Sequence, residues 1–223
     1  SLGEEKDSVF NTGCPSIDLA LEVNKSKQLS FDPFKKYTGV GNTFDISNGY
    51  IVVMQHPVTT EYSFSRTQIE VTLKAINELG LPTLWFWPNV DAGSDGTSSG
   101  IRAYREKDEL NHVHFFKNML PNDFLELLIH SSALIGNSSV GIRECAYLGV
   151  PVVNIGSRQN KRARGNNVID IDYDSGELIN AVNTCINNAR PEPSDIYGRG
   201  NSGQNIAELL ASVELKHHKT ITY

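Results

Sequence analysis

The sequence predicts an α/β fold: a Rossmann-like, doubly wound parallel sheet with helices on both faces. Two observations predict it. From residue 50 onward, short apolar runs alternate with segments in which apolar residues recur at helical spacing. Clusters of Gly, Pro, Asn, Asp and Ser separate them, the punctuation expected where strands hand over to helices.

The elements follow in order. Residues 7–12 read as a strand ending at Gly13, and residues 15–21 can start a helix behind Pro15. Residues 24–48 are polar and irregular, with Pro33, Gly39 and Gly41. The run at 50–55 (YIVVMQ) is a buried-type strand. Residues 65–79 place Ile69, Leu73, Ile76 and Leu79 near helical spacing and stop at Gly80. Strands are expected at 83–87, 112–116, 133–135, 152–155 and 168–171. Helices are expected at 101–108, 121–129, 141–148, 176–187 and 204–213. The expected organisation is a tail of a truncated preceding domain (1–24), a linker (25–49), a ligand-binding Rossmann-like domain (50–202) and a C-terminal helix and tail (203–223). A chain opening Ser1-Leu2-Gly3 without Met is expected to continue upstream.

Composition narrows the function classes. The 223 residues suffice to bury a sizeable core. The net charge is −6, and the only dense basic cluster is Lys161, Arg162 and Arg164, so no nucleic-acid track is expected. Cys14, Cys145 and Cys185 are far apart and odd in number, which argues against a disulfide framework or a zinc site and suits a reducing cytoplasm. No run reaches the ~18 apolar residues of a membrane span. No metal cluster is expected either: His112, His114, His130, His217 and His218 lack ligand spacing.

In open α/β sheets, ligands bind at the carboxyl ends of the strands. Four segments fall there. In Gln55-His56-Pro57-Val58-Thr59-Thr60-Glu61, His56 can donate to a phosphate or ribose or move a proton; a loop-capping histidine is the plainer alternative. In residues 87–94 (WPNVDAGS), Asn89 and Asp91 offer an amide and a carboxylate, although ordinary turn chemistry explains the same residues. Residues 136–144 (GNSSVGIRE) join a strand to a helix whose start favours a phosphate. There Ser138 and Ser139 add hydroxyls, and Glu144, about one turn into the helix, can accept both hydroxyls of a ribose; a Ser-capped helix is the alternative. In residues 154–162, Gly156 would let a ligand approach and Arg158 would meet a phosphate or a uracil carbonyl, or the loop is merely basic and solvated. Convergence of all four on one edge is the physical argument for a nucleotide site.

Six segments carry a family resemblance: TGCPSID (12–18), QHPVTTE (55–61), PNVDAGS (88–94), GNSSVGIRE (136–144), GVPVVNIGSRQ (149–159) and IYGRGN (196–201). Together, in this order, they resemble the hydrolysing UDP-N-acetylglucosamine 2-epimerases of sialic-acid pathways. The resemblance implies the C-terminal domain of a GT-B fold, a partner in UDP or a UDP-N-acetylhexosamine, no cofactor, and a homo-oligomer for the full-length protein. It implies UDP contacts at His56, Asn89, Leu120, Ser138, Ser139, Glu144 and Arg158, with His56 also near the chemistry. Family members eliminate UDP and hydrate the resulting 2-acetamidoglucal to N-acetylmannosamine. The acid and base carboxylates of the family lie in the other domain, so this chain alone is expected to bind UDP weakly and turn over nothing. Residues 118–121 (NMLP) lack the basic residues of feedback-regulated animal members, and Val140 and Cys145 vary inside the main motif. Relatives acting on UDP-diacetylbacillosamine, non-hydrolysing epimerases, a GT-B glycosyltransferase domain and a non-catalytic binding module remain open as alternatives.

Overall fold

The computed structural model describes residues 6–23, 28–107 and 110–214. Strands β1 (Gly39–Gly41), β2 (Ile51–Met54), β3 (Thr83–Phe86), β4 (Val113–Phe116), β5 (Ala133–Gly136), β6 (Val152–Ile155) and β7 (Val168–Ile171) form one sheet in the order β1-β4-β3-β2-β5-β6-β7. Every neighbouring pair is parallel except β1, which runs antiparallel to β4 at the edge. The chain steps outward from β2 through β3 to β4, then returns to lay β5 on the other side of β2. The boundary between β2 and β5 is therefore the topological switch point, where a crevice opens at the carboxyl edge.

The helices are α1 (Pro15–Leu21), α2 (Pro33–Lys36), α3 (Ser65–Leu79), α4 (Ser94–Arg105), α5 (Pro121–His130), α6 (Ser139–Ile142), α7 (Glu144–Leu148), α8 (Ser175–Asn187) and α9 (Ser202–Ser212). Strand alternation divides the core between two faces. Ile51 and Val53 of β2 pack with Ile69, Leu73 and Ile76 of α3 and with Val182 of α8. Val52 points the other way, into a cluster with Leu127 and Leu128 of α5 and with Cys145 and Leu148 of α7. Burying one such side chain stabilises the fold by about 1.5–3 kcal/mol, so the two faces together fix the strand register.

Four expectations differ from the structure. Residues 7–12 form no strand: Lys6–Ser8 is a 3₁₀ turn, and Val9 and Phe10 stay exposed because no strand lies beside them. Residues 28–49, where a linker was expected, supply α2 and β1 instead. Asp32 caps α2 by accepting the N–H groups of Phe34 and Lys35. Phe34 stacks 4.9 Å from His114 and 5.3 Å from Phe44, covering β4. The helix expected at 101–108 begins at Ser94, because its small first residues let α3 come close. A Cβ on Gly100 would stand 2.6 Å from Ile69, so glycine is what permits that contact. The helix expected at 141–148 is two pieces, α6 and α7, broken at Arg143 with φ −102° and ψ −74°. The C-terminal tail beyond residue 214, with His217 and His218, lies outside the described residues.

Candidate functional site

The switch point is built around Asn137, which is fully buried just past β5. Its side-chain oxygen accepts the His56 N–H at 2.7 Å, and its amide donates to the His56 carbonyl at 2.8 Å. That two-point clamp fixes the residue after β2 from the strand beside it. The Asn137 carbonyl in turn accepts Arg158 Nη1 at 3.2 Å and Gln159 Nε2 at 2.8 Å, both from the 3₁₀ turn after β6. Gly136 makes the approach possible: a Cβ there would stand 2.2 Å from the Met54 carbonyl oxygen, and φ is +133°. The loop after β3 joins the same group. The Asn89 N–H donates to His56 Nδ1 at 3.2 Å, the Asn89 amide donates to Asp91 at 2.6 Å, and Arg158 reaches Asp91 at 3.5 Å.

This arrangement sets the chemistry of His56. Nδ1 accepts from the backbone, so the ring hydrogen sits on Nε2. Burial, and then the charge of Arg158, hold the imidazole down to about 4, against a smaller upward pull from Asp91. His56 is therefore a neutral hydrogen-bond donor near pH 7, not an imidazolium acid.

Beside this cluster lies a cavity of about 320 Å³, lined by Met54 and Phe86 at two strand ends and by Ser138, Ser139 and Glu144. That is the low end of the size of small-molecule sites, enough for part of a nucleotide. Ser138 caps α6 by accepting the Val140 N–H at 3.4 Å, and Ser139 is the first helical residue. Glu144 is buried at the start of α7. Its Oε1 lies 3.3 Å from Arg143 Nη2, and its Oε2 is buried with no hydrogen-bond partner among the described residues. A buried carboxylate oxygen left unpaired costs about 1–3 kcal/mol or more, which a ligand hydroxyl would relieve. Leu120 is exposed and caps α5, with its N–H donating to Tyr37 Oη at 3.2 Å. Its neighbours Met119 and Pro121 line the cavity; Leu120 itself is not among the lining residues. A larger cavity, about 750 Å³, lies by Tyr50 and His130 at the amino end of β2. Of these two, the smaller one is the candidate because it sits at the strand ends where this topology binds ligands.

A family model described as UDP-N-acetylglucosamine 2-epimerase matches residues 1–211. The chain belongs to that family. It is 29% identical over 214 residues to the UDP-N,N'-diacetylbacillosamine 2-epimerase (hydrolyzing) of Legionella pneumophila, an alignment covering 96% of this chain and 54% of that protein. It is 27% identical over 216 residues to the UDP-N-acetylglucosamine 2-epimerase of Neisseria meningitidis, again 96% of this chain and 54% of the relative. Among solved structures, the UDP-GlcNAc 2-epimerase of Methanocaldococcus jannaschii in complex with UDP-GlcNAc and UDP superposes with a TM-score of 0.67 at 16% identity, over 94% of this chain and 56% of that one. The fold is thus that of the GT-B-like epimerase domains. The chain spans about half the length of the curated relatives it matches.

Within this epimerase-family domain, the sequence reading missed residues that organise the site. It assigned no role to Asn137, although a buried asparagine directly after an apolar strand must find hydrogen bonds somewhere. Glu61 was also passed over. It accepts the Ser157 hydroxyl and, at 2.7 Å, the Gln68 amide, tying the loop after β2 to the turn after β6. Gly156 was expected to admit a ligand. Its φ is +69°, and a Cβ there would meet the Tyr173 ring at 2.5 Å, so its smallness serves that ring instead. Burial, then the Glu61 charge, push the Tyr173 phenol up to about 12, which keeps it protonated. Among the described residues, no group of His, Cys, Asp and Glu could hold a metal ion, and no helix is long and apolar enough to cross a membrane.

Proposed function

We propose that this chain is the nucleotide-binding half of a hydrolysing UDP-N-acetylglucosamine 2-epimerase. The observation that carries the reading is Glu144: a buried carboxylate with an unpartnered oxygen, lining a cavity beside a four-loop cluster at the switch point. In this reading Glu144 takes the ribose hydroxyls, and the uracil lies against the rim at Met119 and Leu120. Ser138 and Ser139 face the phosphates. Arg158 adds positive charge there, held by Asp91 and the Asn137 carbonyl. His56, neutral, donates from Nε2 to the diphosphate or to the departing oxygen as UDP is eliminated. The carboxylates that move protons at the sugar come from the part of the relatives' length that this chain does not span. The free chain therefore binds UDP and releases no N-acetylmannosamine, and a full-length homo-oligomer acts in the cytoplasm.

The identity to the Legionella enzyme favours a second substrate, UDP-N,N'-diacetylbacillosamine, handled by the same nucleotide site. Calorimetric titration of UDP into the chain tests the site, with Arg158→Ala and Glu144→Ala as variants. Each variant is expected to bind about tenfold more weakly or worse. Unchanged affinity in both removes the assignment. Addition of the partner domain followed by assay of each sugar nucleotide distinguishes the substrates and separates hydrolysis from transfer to an acceptor.

A further inference from the structure

Two motifs take no part in the strand-end loops: TGCPSID at residues 12–18 and IYGRGN at 196–201. The fold brings them together. The Cys14 N–H donates to the Tyr197 carbonyl at 2.9 Å. The Asp18 carboxylate accepts the Ser202 N–H at 2.9 Å and the Gly203 N–H at 2.7 Å, capping the start of α9 across the whole domain. Gly13 and Gly198 meet at this contact, with φ of +86° and +129°; a Cβ on Gly198 would stand 3.2 Å from the Cys14 nitrogen. Ile17 and Ala20, both fully buried, anchor the inner face of α1 against the domain. The placement of α1 is therefore fixed from both sides.

That placement has a consequence for the nucleotide cavity. Ser16 and Leu19, three residues apart on α1 and so on one helical face, line the same cavity as Ser138, Ser139 and Glu144. Leu19 keeps 42% of its surface exposed, so its side chain is open to the cavity. Among the described residues, the Ser16 hydroxyl pairs with the Cys14 thiol at 3.1 Å, a weak partner that leaves its hydrogen-bonding capacity largely free. Across the cavity, the unpartnered Oε2 of Glu144 is the independent sign that a polar ligand belongs there.

We propose that α1 is a wall of the nucleotide site: Leu19 packs on the nucleoside and Ser16 hydrogen-bonds to it or to the adjoining phosphate. This rests on the nucleotide reading of the cavity. It makes residues 15–21 part of the binding domain in function, and it gives the IYGRGN segment a task, holding that wall from α9.

The test is UDP titration into the wild-type chain, Leu19→Trp, Ser16→Ala, Glu144→Ala and Leu210→Trp. Leu210 is an exposed residue of α9 and serves as the control for adding a surface tryptophan. Leu19→Trp fills the cavity and is expected to weaken UDP by about tenfold or more, with unchanged circular dichroism. Ser16→Ala is expected to weaken it by roughly threefold to tenfold, and Leu210→Trp to leave it unchanged. If Leu19→Trp loses its native circular dichroism, Ser16→Ala decides: wild-type affinity there overturns the proposal. If Leu19→Trp and Ser16→Ala both bind like wild type while Glu144→Ala fails, the α1 wall is wrong and the nucleotide reading stands. A wild-type chain that does not bind UDP overturns both.

Discussion

The two halves of the candidate site differ in how densely their polar groups are held by the protein itself. Around His56, the protein pairs its own polar groups: Asn137 clamps the His56 backbone, Asn89 holds Nδ1, and Arg158 rests on Asp91 and the Asn137 carbonyl. Asn89 Oδ1 and Gln159 Oε1 are nonetheless buried there without a partner among the described residues. Around Glu144 the pairing is sparser, with Oε1 3.3 Å from Arg143 Nη2. One carboxylate oxygen is buried without a partner among the described residues, and the cavity in front of it is lined largely by apolar side chains with three serines, Ser16, Ser138 and Ser139. The first half is preorganised by the fold and contributes to stability. The second carries a buried carboxylate oxygen that a ligand hydroxyl would meet, so its residues should matter more for affinity than for folding.

Substitutions on the two sides should separate these roles. The largest stability effect is expected from Asn137→Ala. It strips hydrogen-bond partners from the His56 N–H and carbonyl and from the packing beneath them, at a cost of about 3 kcal/mol or more in denaturant unfolding. Glu144→Gln should do the reverse. It keeps the shape and removes the buried charge, so stability should fall less than in Asn137→Ala while UDP binds about tenfold more weakly. A Glu144→Gln variant as unstable as Asn137→Ala would erase the contrast.

His56 sharpens the comparison through pH. Its folded-state value of about 4 lies below the ordinary 6.5, so the unfolded chain takes up the proton first. The associated stability is present above pH 6.5 and is lost as pH falls from 6.5 towards 4. The difference is at most about 3 kcal/mol, and it should vanish in His56→Gln, as read from unfolding midpoints across that range. Equal pH dependence in wild type and variant would show that His56 is not buried neutral. The smallest effect belongs to Asp18, whose carboxyl the Gly203 N–H, and then Ser202, hold below its ordinary value of 3.8, against desolvation. Asp18→Asn should lower the melting temperature slightly above pH 3.8, with the difference fading as pH falls below it.

Much of this fold was legible from periodicity. The bounds of α1, α3, β6 and β7 follow directly from apolar spacing and from stops such as Gly80. What was not legible depends on long-range packing. Phe31, Phe34 and Phe44 obey no local period, because they cover β4 from a segment with little regular structure, and β1 exists only because β4 offers an open edge. The start of α4 was hidden because its glycines and serines look like a loop until α3 is laid against them. At the site, the four strand-end loops could be named from the sequence, since strand-to-helix handovers announce themselves. The hub at Asn137 and the α1 wall could not, since both are set by contacts between residues far apart in the chain.

The central claim is that the unpartnered Glu144 oxygen awaits the hydroxyls of a ribose, and one calorimetric comparison addresses it. UDP and 2′,3′-dideoxy-UDP are titrated into the wild-type chain and into Glu144→Ala. The account predicts that the wild type prefers UDP by about tenfold or more, and that Glu144→Ala binds the two ligands equally. Equal binding of both ligands by the wild type, or an undiminished preference in the variant, would contradict it.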